Sequence, residues 1–252
     1  MEPFLTLTAA VIGYLLGSIS FARIVTRLAA PEQDISKIKV TLPDSEAGME
    51  SDAVSATTVR LHVGARYGCL TSILDMAKAA APALAFRTIY PEAPYYLVAA
   101  GMATVGHNWP IYHRFKGGRG LSPILGGMLV IDWLGVLVSN LAGFLLGLPS
   151  RNLLVVTGGG VFFMTFWIWF RTGDIPQLIY AVLMNVIYWS SMIPEIREYL
   201  RLRREGHLEA FQEAEQLRVV GRRAGEVVNE MSLSKLIRMI TGKRGKNKAE
   251  EL

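Results

Sequence analysis

Five apolar runs, each near the length a helix needs to cross a bilayer, constrain this 252-residue chain more than any other feature. They lie at residues 4–24, 69–89, 95–113, 152–171 and 176–194. About 20 apolar residues carry an α-helix through the hydrocarbon core. Inside lipid the backbone must satisfy its own hydrogen bonds, so runs of this kind predict helices. A further apolar stretch, 120–148, is broken by Asp132 and Trp133. The expected fold class is all-α: a polytopic membrane helix bundle followed by a charged, amphipathic cytoplasmic tail.

Charge placement sets the expected number of crossings. Basic residues collect on the inner side of a membrane. The segment after the first run holds Arg23, Arg27, Lys37, Lys39, Arg60 and Arg66, and that after the third holds Arg114, Lys116 and Arg119. Residues 195–252 hold 13 of the 26 Lys and Arg. All three groups lie inside only if the crossings are odd in number. One crossing at 120–148 gives six, whereas two short ones turning at Asp132-Trp133 give seven. Seven is preferred, with the N-terminus outside and the C-terminus cytoplasmic, although this puts Arg171 and Asp174 outside. Met1, Glu2 and Pro3 offer no positive n-region, and Arg23 and Arg27 follow the first run, so that run is expected to be a retained span.

The remaining composition narrows the classes. A basic tail beside bilayer-length runs favours lipid headgroups over nucleic acid as its partner. Cys69 is the single cysteine, which rules out an intrachain disulfide, and the four histidines lack metal-ligand spacing, so no metal is expected. The division expected is a membrane domain, 1–194, containing a polar cytoplasmic loop at 29–66, and a tail, 195–252, helical over 195–220 and disordered at its basic end. The hydrophobic spacing recurs at 231–240. Gly13 and Gly17, Gly143 and Gly147, and Gly158 to Gly160 predict close helix contacts.

Two features carry chemistry. In Gly106-His107-Asn108-Trp109-Pro110-Ile111-Tyr112-His113-Arg114-Phe115-Lys116-Gly117-Gly118-Arg119-Gly120, three late glycines let backbone amides approach an anion. Lys116 and Arg119 add charge, and the next helix adds its positive dipole end. The pattern fits a phosphate site at the membrane surface or a plain positive-inside loop; it is not a Walker loop. Second, Asp75 and Lys78 lie three apart in an apolar run and share a helix face, where they pair structurally or serve a substrate. Ser18 reads as a helix-bonding residue and His113 as an interfacial one.

The order of these features resembles the bacterial membrane glycerol-3-phosphate acyltransferases of the PlsY type, over roughly residues 10–205. Leu16-Gly17-Ser18-Ile19 resembles that family's Gly-Ser-Ile-Pro-Phe, and Leu74-Asp75-Met76-Ala77-Lys78 its Leu-Asp-x-x-Lys. Gly106-His107, Pro110 and Phe115 to Gly120 resemble Gly-His-x-x-Pro and Phe-Lys-Gly-Gly-Lys-Gly, with Arg119 in place of the second lysine. The first cytoplasmic motif, Gly-Ser-Gly-Asn-x-Gly-Ala-x-Asn-x-x-Arg, has its counterpart at 50–61. Ser51 and Ala56 match there, Asp52 and Ser55 replace glycines, Ala53 and Thr58 replace asparagines, and Arg60 comes one residue early. The third motif falls at 199–208, where Gly206 alone fits.

The resemblance implies a seven-spanning enzyme of the bacterial inner membrane. It would move a fatty acyl group from acyl phosphate to glycerol 3-phosphate, giving lysophosphatidic acid in phospholipid biosynthesis, with no cofactor or metal. Substrate binding would fall to Lys116, Gly117, Gly118, Arg119, Gly120 and Arg60, and the catalytic candidates are His107 and Ser51. His107 bonds a phosphate oxygen or acts as base, or it merely orders the loop. The altered first and third motifs leave a second reading open: a catalytically altered relative that binds anionic lipid or a partner. A 50–61 loop with Ser51 and Arg60 turned toward Lys116 and Arg119 would favour catalysis. The residues do not specify an oligomeric state.

Overall fold

The computed structural model describes residues 1–36, 38–41, 48–147 and 153–207, so the expectations for 208–252, including the 231–240 pattern, lie outside the described residues. The helices are α1 (Pro3–Gly17), α2 (Phe21–Ala29), α3 (Ala56–His62), α4 (Ala65–Ile89), α5 (Tyr95–Asn108), α6 (Leu121–Ile131), α7 (Trp133–Gly147), α8 (Leu153–Thr172), α9 (Ile175–Ser191) and α10 (Ile193–Arg204). The apolar runs of the sequence are mostly helix, the first broken at 18–20 between α1 and α2 and the third ending its α-helix at Asn108. The polar loop adds a small antiparallel ribbon, β1 (Ile38–Thr41) and β2 (Gly48–Ser51), with Ile38 opposite Ser51.

By length and apolarity, three helical segments among the described residues suffice to cross a membrane: Pro3–Ala29, Ala65–Ile89 and Leu154–Thr172. A fourth is formed if α9 and α10, bent by 50°, are taken as one. The stretch 120–148 breaks at Asp132, whose backbone is extended between α6 and α7. Those two helices are short, at 11 and 15 residues.

Small residues bring the helices together as their spacing predicts. A Cβ on Gly13 would lie 2.3 Å from the Ala99 carbonyl oxygen, and one on Gly17 2.1 Å from that of Ala103, so α1 and α5 touch backbone to backbone. Gly143 meets α8 in the same way, at 2.3 Å from the Val156 oxygen. Gly17→Ala is therefore expected to destabilise the protein by about 1–3 kcal/mol, because neither backbone can yield cheaply. A lowered unfolding midpoint of the detergent-solubilised protein would show it; an unchanged midpoint would mean that α1 and α5 do not pack so closely.

The two ends of the bundle differ in polarity. At one end the buried Asp132 accepts from the Trp167 indole at 2.8 Å and pairs with Arg171 Nε at 2.7 Å. It also accepts from the Leu134 amide at 3.2 Å, at the start of α7. Asp174 caps α9 through the Gln177 amide at 2.8 Å. Both charges that seemed misplaced outside thus have local partners. The other end gathers α2, the polar loop, the α5–α6 connection and the start of α10. The 194/195 division falls inside this junction: α10 begins at Ile193, and both Glu195 and Leu202 are buried.

Candidate functional site

The connection from α5 to α6 is shaped by backbone before side chains. After Asn108 the chain makes a 3-10 turn at Ile111–His113, and then Arg114 and Phe115 both adopt positive φ, 52° and 60°. Such backbone is costly for residues with a Cβ and persists only where surroundings enforce it. Here they do. Arg23 Nη2 donates to the Lys116 carbonyl at 3.0 Å, the Val54 amide to the Gly117 carbonyl at 3.0 Å, and Ser191 Oγ to the Arg119 carbonyl at 3.0 Å. Three different parts of the chain therefore grip the turn through its carbonyls.

The glycines serve unequal ends. A Cβ on Gly117 would fall 2.0 Å from the His107 carbonyl oxygen, so only glycine fits there. The Gly118 amide donates to that same oxygen at 3.0 Å, and a Cβ on Gly118 would strike His107 Nε2 at 2.1 Å. The sequence reading gave the Gly118 amide to phosphate; the structure instead commits it to the turn. Gly120 caps α6 with φ of 86°, beneath which the buried Asn108 amide packs. Among the described residues, the amides of Gly117 and Gly120 have no acceptor, nor has Asn108 Nδ2.

The cations of the turn also part ways. Lys116 is exposed, with no side-chain partner among the described residues. Arg119 is engaged: its Nε lies 2.6 Å and its Nη2 2.5 Å from Glu195 Oε1, and Nη2 lies 2.9 Å from Asp52 Oδ1. Ser51 Oγ donates to Glu195 Oε1 at 3.0 Å. Ser51, Lys116, Gly117 and Arg119 are thus brought to one place. Arg60 is not among them. It lies exposed on α3 with its Cβ against Gly68 of α4, and no ion pair joins it to the turn among the described residues.

A second cluster is buried beside the turn. Lys78 Nζ lies 2.7 Å from Asp75 Oδ1 and donates to the Ile19 carbonyl at 2.7 Å, where the chain breaks between α1 and α2. His107 Nδ1 lies 3.5 Å from the same Asp75 oxygen. The Asp75–Lys78 pair is therefore a buried structural tie that also faces His107. Ser18 Oγ bonds back to the Tyr14 carbonyl at 2.8 Å, as a helix-bonding residue does. His113 is half-buried at the edge of the turn.

Sequence reasoning missed the contributions of Asp52, Asn108 and Glu195. Asp52 and Asn108 adjoin residues that were singled out, but no spacing pointed to their contacts. Glu195, the first charge after the last apolar run, was read as part of a tail. Among the described residues, no group of three or more His, Cys, Asp or Glu is placed to hold a metal.

Residues 7–201 match the family model described as glycerol-3-phosphate acyltransferase. Among curated proteins, the chain is 30% identical over 196 residues to glycerol-3-phosphate acyltransferase 1 of Dehalococcoides mccartyi, covering 75% of this chain and 88% of that one. It is 30% identical over 190 residues to glycerol-3-phosphate acyltransferase 1 of Lactobacillus johnsonii, covering 75% of each. Two crystal structures of PlsY, an integral membrane glycerol 3-phosphate acyltransferase, share its fold. The glycerol 3-phosphate form aligns with TM-score 0.66 at 22% identity, covering 80% of this chain and 93% of that one. The lysophosphatidic acid form aligns with TM-score 0.67 at 23% identity, covering 79% and 93%.

Proposed function

The chain belongs to the glycerol-3-phosphate acyltransferase family, and from that premise we propose that this membrane acyltransferase moves a fatty acyl group from acyl phosphate to the sn-1 hydroxyl of glycerol 3-phosphate, giving lysophosphatidic acid. The acceptor oxygen attacks the acyl carbonyl carbon, and the carbonyl–phosphate C–O bond breaks. Phosphate leaves, taking up the hydroxyl proton directly or through water. A mixed anhydride already carries a good leaving group. The protein has chiefly to hold two anionic headgroups in register and stabilise the developing oxyanion. No step of this scheme draws on a metal or cofactor.

The observation that carries the reading is Lys116, whose side chain has no partner among the described residues, on a glycine turn whose Gly117 and Gly120 amides have no acceptor among them, at the end of the bundle that also collects the polar loop. Lys116 and these amides receive phosphate, together with the positive N-terminal end of α6. Arg119 borders the same anion. Ser51 and Glu195 orient Arg119, and His107, wedged between Asp75 and Gly118, orders the turn. Arg60 contributes at most long-range charge.

The same contacts support seven crossings, and placing the basic turn on the inner side puts the N-terminus outside. Arg119 meets both Ser191 and Glu195, so the turn and the start of α10 share one membrane face. The segments between them must cross an even number of times, which the six-crossing reading does not allow. The setting is a bacterial plasma membrane, with the turn at the inner leaflet among anionic headgroups.

The test is turnover by the purified full-length protein in detergent, given palmitoyl phosphate and glycerol 3-phosphate, beside a parallel reaction with palmitoyl-CoA. Lysophosphatidic acid is expected from acyl phosphate and not from the thioester. Product from the thioester alone would overturn the assigned donor, and none from either would return the catalytically altered relative.

A further inference from the structure

The Arg119 guanidinium has two carboxylate partners of different character. Glu195 is 8% exposed in its side chain and is locked by Ser51 as well as by Arg119. Asp52 is 58% exposed, contacts Arg119 through Oδ1 alone, and sits between β2 and α3, just before the Val54 amide that grips Gly117. An exposed ion pair is weak, because water screens it and both side chains lose freedom in forming it. A doubly charged phosphate monoester offers a guanidinium more charge and more acceptor oxygens than one carboxylate does. The buried pair with Glu195 would survive that exchange, and the exposed pair would not.

We propose that Asp52 is a displaceable counter-ion that occupies Arg119 until the phosphate of the acceptor takes its place, while Glu195 keeps the guanidinium oriented. This inference rests on the reading of the glycine turn as the phosphate site. Asp52 then sets acceptor affinity by competition. It also couples that affinity to the polar loop, since releasing Asp52 loosens one of the ties that hold the loop on the turn. Val54 still ties the loop to Gly117 of the turn, and Ser51 ties it to Glu195 of α10.

Glycerol 3-phosphate titrated calorimetrically into the full-length protein in detergent reads this without turnover. Asp52→Asn is expected to tighten binding by about two- to fivefold, the range expected of an exposed pair, and to lower the KM for glycerol 3-phosphate to match; damage to the fold would do the opposite. Asp52→Ala serves as a second variant. The tightening must vanish in an Arg119→Gln background. No tightening by Asp52→Asn, tightening that persists without Arg119, or absence of binding to every variant would overturn the proposal. A wild-type protein that binds glycerol 3-phosphate, is tightened by Asp52→Asn, yet turns over no acyl phosphate would instead refute the proposed reaction and leave the counter-ion role standing.

Discussion

Lys116→Ala is expected to lower acyl transfer more than tenfold. Lys116 is exposed on the glycine turn and its side chain has no partner among the described residues, so its charge is available to a ligand. A hydrogen bond between an ammonium and a phosphate oxygen is roughly twice as strong as a neutral one. Losing it costs about 1.5–3 kcal/mol, and about 1.4 kcal/mol corresponds to a factor of ten. Arg119 cannot compensate, because Glu195 fixes its guanidinium in place and its own contact with the phosphate is already made in the parent. Lys116→Arg should keep part of the activity, since the charge remains while its geometry changes. The measurement is kcat/KM of purified variants with palmitoyl phosphate and glycerol 3-phosphate. A Lys116→Ala enzyme as fast as the parent would remove this residue from the site.

Asp75→Ala is expected to be the most damaging single change to stability. It strips the counter-ion from Lys78, whose side chain is 3% exposed within the bundle. Breaking a buried pair from one side costs about 3–5 kcal/mol, whereas replacing both partners by apolar groups is often nearly neutral. Asp75→Ala should therefore fall sharply in unfolding midpoint or fail to accumulate, and adding Lys78→Met should recover a large part of the loss. A single variant as stable as the parent, or a double variant no better than the single, would contradict the tie described here. The Ile19 carbonyl would still hold Lys78 in the single variant, which limits the loss but does not neutralise the charge.

Hydropathy and glycine spacing made the bundle legible in the sequence. Bilayer-length runs leave the backbone little choice but helix, and Gly13 and Gly17 mark a real backbone contact. The break at Asp132 was legible because Asp132 and Trp133 interrupt the apolar stretch where the parity of crossings calls for a turn; that Asp132 would pair with Trp167 and Arg171 was not. At the site, the turn could be read because glycines and cations fall within five residues, 116–120. What each glycine does could not be read, since Gly118 is fixed by the His107 ring and carbonyl, and that contact depends on how α5 ends. The Ser51–Glu195–Arg119–Asp52 cluster joins residues up to 144 apart in sequence. Nothing local encodes such pairs; they follow from docking α10 and the polar loop on one end of the bundle. For the same reason Arg60, adjacent in sequence to a matching motif, is held on α3 by its contact with Gly68 and not at the turn.

The central claim is that residues 116–120 cradle the phosphate of the acceptor. An experimental structure of the full-length protein with glycerol 3-phosphate bound tests it most directly. A phosphate oxygen should lie about 2.8 Å from Lys116 Nζ, the separation of a charge-assisted bond, and over the amides of Gly117 and Gly120. Phosphate bound elsewhere in the protein, with Lys116 left in solvent and the turn empty, would contradict the account.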